Sequence, residues 1–379
     1  MTAPWRFRNP VDIHFDVNAI ETTATLLNGA RYAIVTYPSP MFQDLAARLE
    51  AAAGPAGLVI DDVLPNPERQ RLSAQCARFW PGAEQVDVIV AIGGGSVIDT
   101  AKVLAAGRAG FDAVMDFVTT GRGGPDLRPV PLLAIPTTAG TGSEVTCWAT
   151  IWDEAGGAKF SLAHEDLYPK AAIIDPSLML RMPADLTQAT GLDTLSHALE
   201  SLWNKNVNPV SARHAVDAAL MIRDTLGQVL DRPDDLALRT RMSEAAVTAG
   251  LAFSNTKTAI AHNLSYPVTL DYGVAHGIAC SFTLPHILRS VAEIDGICQQ
   301  ALMRVFGSDL MRGADDLTAE LNGLGVPTSF ADYGIADSPA TRIIAEAFEG
   351  QRGRNFIGDK DRFLNMARSH GLLSDPAGT

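Results

Sequence analysis

The sequence is short of basic residues: 30 lysines and arginines stand against 43 aspartates and glutamates, a formal charge of −13. A surface of that sign repels nucleic acid and anionic lipid at long range, so neither is expected as a partner. Cysteine is also scarce. Cys76, Cys147, Cys280 and Cys298 form no C-x-x-C pair, so neither a disulfide framework nor a thiolate zinc site is indicated. Nowhere is there a run of the about 18 apolar residues that spans a bilayer, and the opening MTAPWRFRNPVDIHFDVNAI lacks a basic segment followed by an apolar one. A soluble, cytoplasmic protein is the expectation. Internal repeats and low-complexity linkers are missing as well.

What is present is a chain of 379 residues, 47% hydrophobic and 19% charged, enough to bury a full core and to form two domains. Short apolar runs at 31–36, 57–60, 86–92, 130–135 and 171–174 are bounded by Gly, Pro or Asp and read as buried parallel strands. Helical patterns such as FQDLAARLEAAA and VIDTAKVLAAGRAG lie between them. Alternating strand and helix predict an α/β nucleotide-binding domain, a parallel sheet flanked by helices, over residues 1–182. After Met182-Pro183 the texture becomes purely helical, in ATGLDTLSHALESLW, SARHAVDAALMIRDTLGQVL, LRTRMSEAAVTAGLAF and GADDLTAELNGL. Residues 183–379 are therefore expected to form an all-α domain, packed closely against the first with a cleft between them.

The run VDVIVAI leads directly into Gly93-Gly94-Gly95-Ser96 and then into a helical pattern. Glycines let a backbone approach a phosphate, Ser96 adds a hydroxyl, and a helix start adds free N–H groups and a positive dipole end. This turn is neither a G-x-G-x-x-G fingerprint nor a P-loop, and alone it reads equally well as a tight structural turn. A second polar turn, Pro136-Thr137-Thr138-Ala139-Gly140-Thr141-Gly142-Ser143-Glu144, follows the run VPLLAI. Two such turns at the carboxyl ends of buried strands, on one sheet edge, favour one extended phosphate ligand, such as a dinucleotide.

Asp193 and His197 stand four apart on a helical pattern, which puts both side chains on one face. His262 and His276 follow in the next helical region. Three imidazoles and one carboxylate suit a divalent ion such as Fe²⁺ or Zn²⁺. Taken alone, an Asp-x-x-x-His pair is more often a surface helix pair, and His276 before Gly277 reads equally as a loop residue. His286, in LPHIL, reads as a packed histidine and not as a ligand.

Taken together, these words resemble the iron-containing (group III) alcohol dehydrogenases along nearly the whole chain. The matching segments are DDVLPNPE at 61–68, AIGGGSVIDTAK at 91–102, IPTTAGTGSEVT at 135–146, Lys159, Asp175-Pro176, GLDTLSHALE at 191–200, and His262 through His276-Gly277. The resemblance implies a dehydroquinate synthase-like architecture, a homodimer, and an NAD- or NADP-dependent interconversion of a small aldehyde and its alcohol. It implies a metal, iron before zinc, on Asp193, His197, His262 and His276. It places Asn66, Gly93, Gly94, Gly95, Ser96, Thr137, Thr138 and Lys159 at cofactor-contacting positions. Two departures stand out. Tyr266 occupies the place of a histidine that relays protons in many members, and Tyr37 the place of an acidic residue that selects NAD. The Ser265-Tyr266-Pro267 variant and GRNFIGDKD near the end resemble the branch associated with phosphonate metabolism, typified by phosphonoacetaldehyde reductases. Reduction of phosphonoacetaldehyde to 2-hydroxyethylphosphonate is the specific expectation, with Lys159, Arg352 or Arg354 as its anion-binding cation. The alternatives are a general short-chain alcohol dehydrogenase, a dehydroquinate synthase-like lyase, and a catalytically silent nucleotide-binding protein. A lyase of that type needs a dense lysine and arginine array that the helical half lacks, and a silent protein is expected to have lost a metal ligand.

Overall fold

A computed structural model describes residues 4–82 and 86–374. Eight strands are present among them: β1 (Asp12–Phe15), β2 (Tyr32–Thr36), β3 (Leu58–Ile60), β4 (Val88–Gly93), β5 (Leu132–Pro136), β6 (Trp148–Asp153), β7 (Ala158–Ala163) and β8 (Ala171–Ile174). Six of them form one all-parallel sheet in the order β1-β8-β5-β4-β2-β3. Because successive side chains on a strand point to opposite faces, the apolar runs feed two separate layers. Ala33, Val35, Ile89, Ala91 and Leu132 enter one with Ile98, Ala101 and Leu104; Ile34, Val90, Ile92 and Leu133 enter the other with Leu45 and Leu49.

The five strands read from the sequence are all in this sheet, and the α/β class holds. Two features lay outside that reading. The edge strand β1, sequence DIHF, carries too few apolar residues to stand out, and it pairs only with β8. The antiparallel β6-β7 pair forms a second, two-stranded sheet. β7 is half-exposed and mixes Lys159 and Ser161 with Phe160 and Leu162, so its pattern is diluted.

The chain steps from β2 outward to β3 and then returns to place β4 on the other side of β2. The strand order reverses there, and the crevice beyond the carboxyl ends of β2 and β4 is where open α/β sheets bind ligands. The Gly93–Ser96 turn sits at that point.

By backbone contacts the chain falls into two compact units, Asn9–Arg181 and Met182 onward, the latter joined by the described residues before Asn9. Arg8 ties that segment down by donating its backbone N–H to Asn255 Oδ1. From Met182 on, the described residues form helices and no named strand. Pro209–Asp231 starts with a full capping box between Asn208 and Ser211, with Pro209 in the first turn. No helix among the described residues is long and apolar enough to cross a membrane.

Candidate functional site

β4 ends at Gly93, and Gly95–Ala106 starts two residues later with Gly94 as its N-cap in extended backbone. A Cβ on Gly93 would run into Val97, and one on Gly95 would lie 2.7 Å from Thr141. Packing of the strand-turn-helix unit itself thus demands glycine at 93 and 95. At Gly94 a Cβ would stand 3.2 Å from Thr138 and 3.6 Å from the Tyr37 hydroxyl, a tight but tolerable fit. Close approach of a ligand therefore bears on Gly94, whereas the sequence had suggested Gly95 equally.

The two turns read from the sequence come together. Thr137 donates its backbone N–H to Gly93 O at 3.1 Å. Ser96 Oγ accepts the backbone N–H of Asn66, which holds a left-handed φ of 57°. Thr138 flanks Gly94, and Lys159 lies over the Trp152 ring at 4.6 Å. Tyr37 packs edge-on against Phe42, and burial raises its phenol above the ordinary value while a hydrogen bond with Ser96 opposes that. A free helix N-terminus, three hydroxyls and a glycine without strain form a fitting cradle for a pyrophosphate.

Beneath the turns lies a network that sequence reasoning missed. Gly95–Ala106 is apolar almost all round and buried, and it takes Lys102 inside with it. The Lys102 ammonium donates to Ser143 O at 2.7 Å, Ser143 Oγ at 3.1 Å, Thr146 Oγ1 at 3.3 Å and Trp148 O at 2.9 Å. Burial pulls its pKa down to about 8, with Asp99 opposing. Asp99 accepts from Ser143 Oγ and from Thr150 N. The lysine and aspartate of IDTAK thus clamp the second turn to the helix that carries the first.

In the second unit, Asp193 and His197 occupy adjacent turns of Ala184–Leu202, both buried, with Asp193 Oδ1 3.7 Å from His197 Nε2. His262, near the start of Ile260–Tyr272, brings its Nε2 to 3.0 Å from His197 Nε2 and 3.6 Å from Asp193 Oδ1. His276 opens His276–Ser281, its ring centroid 5.5 Å from that of His262. A Cβ on Gly277 would strike the Ala189 carbonyl, so only glycine lets His276 come this close to the long helix. Burial alone would raise the Asp193 carboxyl, yet the charges of His197, His276 and His262 hold it well below the usual carboxylate range.

Two features of the cluster fit a cation. Asp193 Oδ1 is buried with no hydrogen-bond partner, a costly state for an acceptor that nothing satisfies. The two imidazole Nε2 atoms face each other at hydrogen-bond distance, and a shared positive centre suits both lone pairs. Glu200, two turns beyond Asp193, was missed by sequence reasoning although it ends the word GLDTLSHALE. It accepts from His262 Nδ1 at 2.7 Å and so turns the lone pair of Nε2 towards Asp193 and His197. Cys280 was missed too. Its sulfur and ligand atoms of Asp193, His262 and His276 all lie within 4.8 Å of one another.

Tyr266 lies parallel to the His276 ring at 6.3 Å between centroids, and the Arg352 guanidinium sits 5.0 Å above the Tyr266 ring. Arg354 instead donates to the backbone of Glu349. His286 faces Thr328 O, and burial pushes its pKa down to about 3, as fits a packed neutral histidine.

The comparisons with known proteins follow the same division. A family model described as iron-containing alcohol dehydrogenase matches residues 10–176, and its C-terminal counterpart matches residues 187–358. The phosphonoacetaldehyde reductase of Streptomyces viridochromogenes is 35% identical over 285 residues, covering 72% of this chain and 71% of that one. The NAD-dependent methanol dehydrogenase of Bacillus methanolicus is 34% identical over 275 residues, covering 70% and 72%. The crystal structure of sulfoacetaldehyde reductase from Bifidobacterium kashiwanohense in complex with NAD⁺ superimposes with a TM-score of 0.88 at 28% identity, covering 99% of this chain and 100% of that one. Matched over both halves, the chain belongs to the iron-containing alcohol dehydrogenase family and is an oxidoreductase.

Proposed function

We propose that this oxidoreductase reduces a short aldehyde carrying a tetrahedral oxyanion, phosphonoacetaldehyde to 2-hydroxyethylphosphonate being the best-supported reaction. Asp193, His197, His262 and His276 hold one divalent cation, and Gly93–Ser96 with Asn66, Thr137, Thr138 and Lys159 bind a nicotinamide dinucleotide. When bound, the cation supplies Lewis acidity towards a carbonyl oxygen and the reduced nicotinamide supplies the hydride, NAD(P)H and a proton being consumed for each alcohol formed. Glu200 keeps His262 oriented, and Gly277 keeps His276 within reach. The Tyr266 ring walls the site beside His276.

The observation that carries the substrate class is Arg352. Its guanidinium makes no hydrogen bond or ion pair with any described residue, although burial pulls its pKa down to about 10, with Glu200 opposing. At neutral pH it is still a cation. A half-buried guanidinium without an acceptor among the described residues, one tyrosine ring from His276, offers a planar fork to a phosphonate or sulfonate. Its turn is closely packed and tied down, since a Cβ on Gly353 would strike the Ala347 carbonyl and Asn355 donates to Thr258 O at 2.9 Å. Two similar proteins are named for aldehydes of this class.

The test is a set of specificity constants over short aldehydes with both NADH and NADPH. Charge-assisted hydrogen bonds of about 1.5–3 kcal/mol each, at tenfold per about 1.36 kcal/mol, put phosphonoacetaldehyde ahead of propanal by roughly tenfold or more. Arg352→Met, which keeps the side-chain bulk, is expected to erase that preference with a much smaller change for propanal. The second reading, a general short-chain alcohol dehydrogenase, is favoured by the similarity to methanol dehydrogenase. Equal or better turnover of neutral aldehydes by the unaltered protein would establish it instead.

A further inference from the structure

Two i, i+4 pairs face one another across the cluster, Asp193 with His197 on the long helix and His276 with Cys280 on the short one. We propose that the Cys280 thiolate is a further ligand of the divalent cation held by this cluster, which adds a sulfur donor and turns the site's preference from iron towards zinc-like ions.

The sulfur lies 3.7 Å from His276 Nε2 and 3.8 Å from Nδ1, on the inner face of its helix and wholly buried. Ligand atoms of Asp193, His262, His276 and Cys280 are mutually within 4.8 Å. Adjacent donors around a five-coordinate ion, with bonds of about 2.0–2.3 Å, stand roughly 2.8–4.0 Å apart, so a small inward shift of side chains adds the sulfur to the four donors already named. Independently of the sulfur, the orphaned Asp193 Oδ1 points into the same space. Coordination replaces the S–H bond with an S–metal bond and releases one proton, with no change of oxidation state. Thiolate is the softest donor available here, and soft donors select zinc and cobalt over iron at otherwise equal geometry.

This inference rests on the cation reading of the cluster but not on the choice of substrate, and the experiment separates the two. The full chain, stripped with a chelator, is titrated with Co²⁺ alone. One equivalent is expected to give visible ligand-field bands together with a near-ultraviolet sulfur-to-cobalt charge-transfer band. Cys280→Ser and Cys280→Ala should keep the visible bands, lose the charge-transfer band, and bind Zn²⁺ about tenfold or more weakly with a smaller loss for Fe²⁺. His262→Ala should lose both kinds of band. Visible bands without a charge-transfer band in the unaltered protein, or a charge-transfer band that survives both Cys280 variants, would overturn the sulfur ligand while leaving the cation site in place. No cobalt absorption at all would overturn the cation site itself.

Discussion

Glu200 is a carboxylate with no solvent around it, and every one of its contacts has a purpose. Its oxygens accept from Ala259 N at 2.8 Å, Ala261 N at 2.6 Å and His262 Nδ1 at 2.7 Å. The backbone donors are free N–H groups at the start of Ile260–Tyr272, which otherwise have no acceptor. One residue therefore caps the helix and sets the tautomer of the histidine that the helix delivers. Glu200→Gln keeps the size but weakens the acceptor for Nδ1. Metal affinity, read by chelator competition, is expected to fall about 10–100-fold while the thermal melt moves little. Glu200→Ala should also lower the melting temperature, because each buried N–H left without a partner costs about 1–3 kcal/mol. Unchanged metal affinity in Glu200→Gln would show that the carboxylate serves the helix start alone.

At the scale of elements, the strand-turn-helix at Gly93–Ser96 separates two kinds of glycine. Gly93 and Gly95 pack hard against the protein's own side chains, whereas Gly94 faces the cradle with Thr138 and the Tyr37 hydroxyl at looser distances. Gly94→Val is therefore expected to hold its stability within about 1 kcal/mol of the parent, given its extended backbone, and to bind NAD(P)H at least tenfold more weakly. Gly95→Val should instead lower the melting temperature of the Asn9–Arg181 unit. Fluorescence titration with NADH and a thermal melt read the two effects apart; equal NADH affinity in Gly94→Val would place the pyrophosphate elsewhere. The sheet was legible because five strands buried on both faces leave unbroken apolar runs, and the helices after Met182 because their period repeats over several turns. β1 and the β6-β7 hairpin were not, since half-exposed short strands leave no such run. The candidate metal residues could be picked out as residue types at helical spacing. Glu200 owes its role to His262, 62 positions away, and Arg352, although named from the sequence as one of three candidate cations, owes its seat to Tyr266. Spacing along one helix marks Cys280 only after His276 is taken as a ligand.

For the whole molecule, the acidic balance of −13 and the buried Glu144 of the first unit act on stability in the same sense as pH rises towards neutrality. Glu144, in the second turn, is 4% exposed, and burial pushes its pKa up to about 7, with a backbone hydrogen bond and then Lys102 opposing. Its folded pKa therefore exceeds the unfolded value of about 4.3. Between those values the folded protein holds a proton that the unfolded chain has released, so stability falls as pH rises through that window. The loss is complete above the folded pKa and amounts to about 4 kcal/mol at most. Lys102 acts in a different range: its folded pKa of about 8 lies below the unfolded one, so stability recovers as pH rises beyond 8. A melting-temperature profile is thus expected to fall from pH 5 to pH 7. The general self-repulsion of an acidic chain also contributes a decline, and Glu144→Gln tells the two apart because it changes the total by one charge only. In that variant the slope between pH 5 and pH 7 should flatten and the melting temperature at pH 8 should exceed the parent's. A parallel slope in parent and variant would assign the whole decline to net charge and leave Glu144 ionised without penalty in the folded protein.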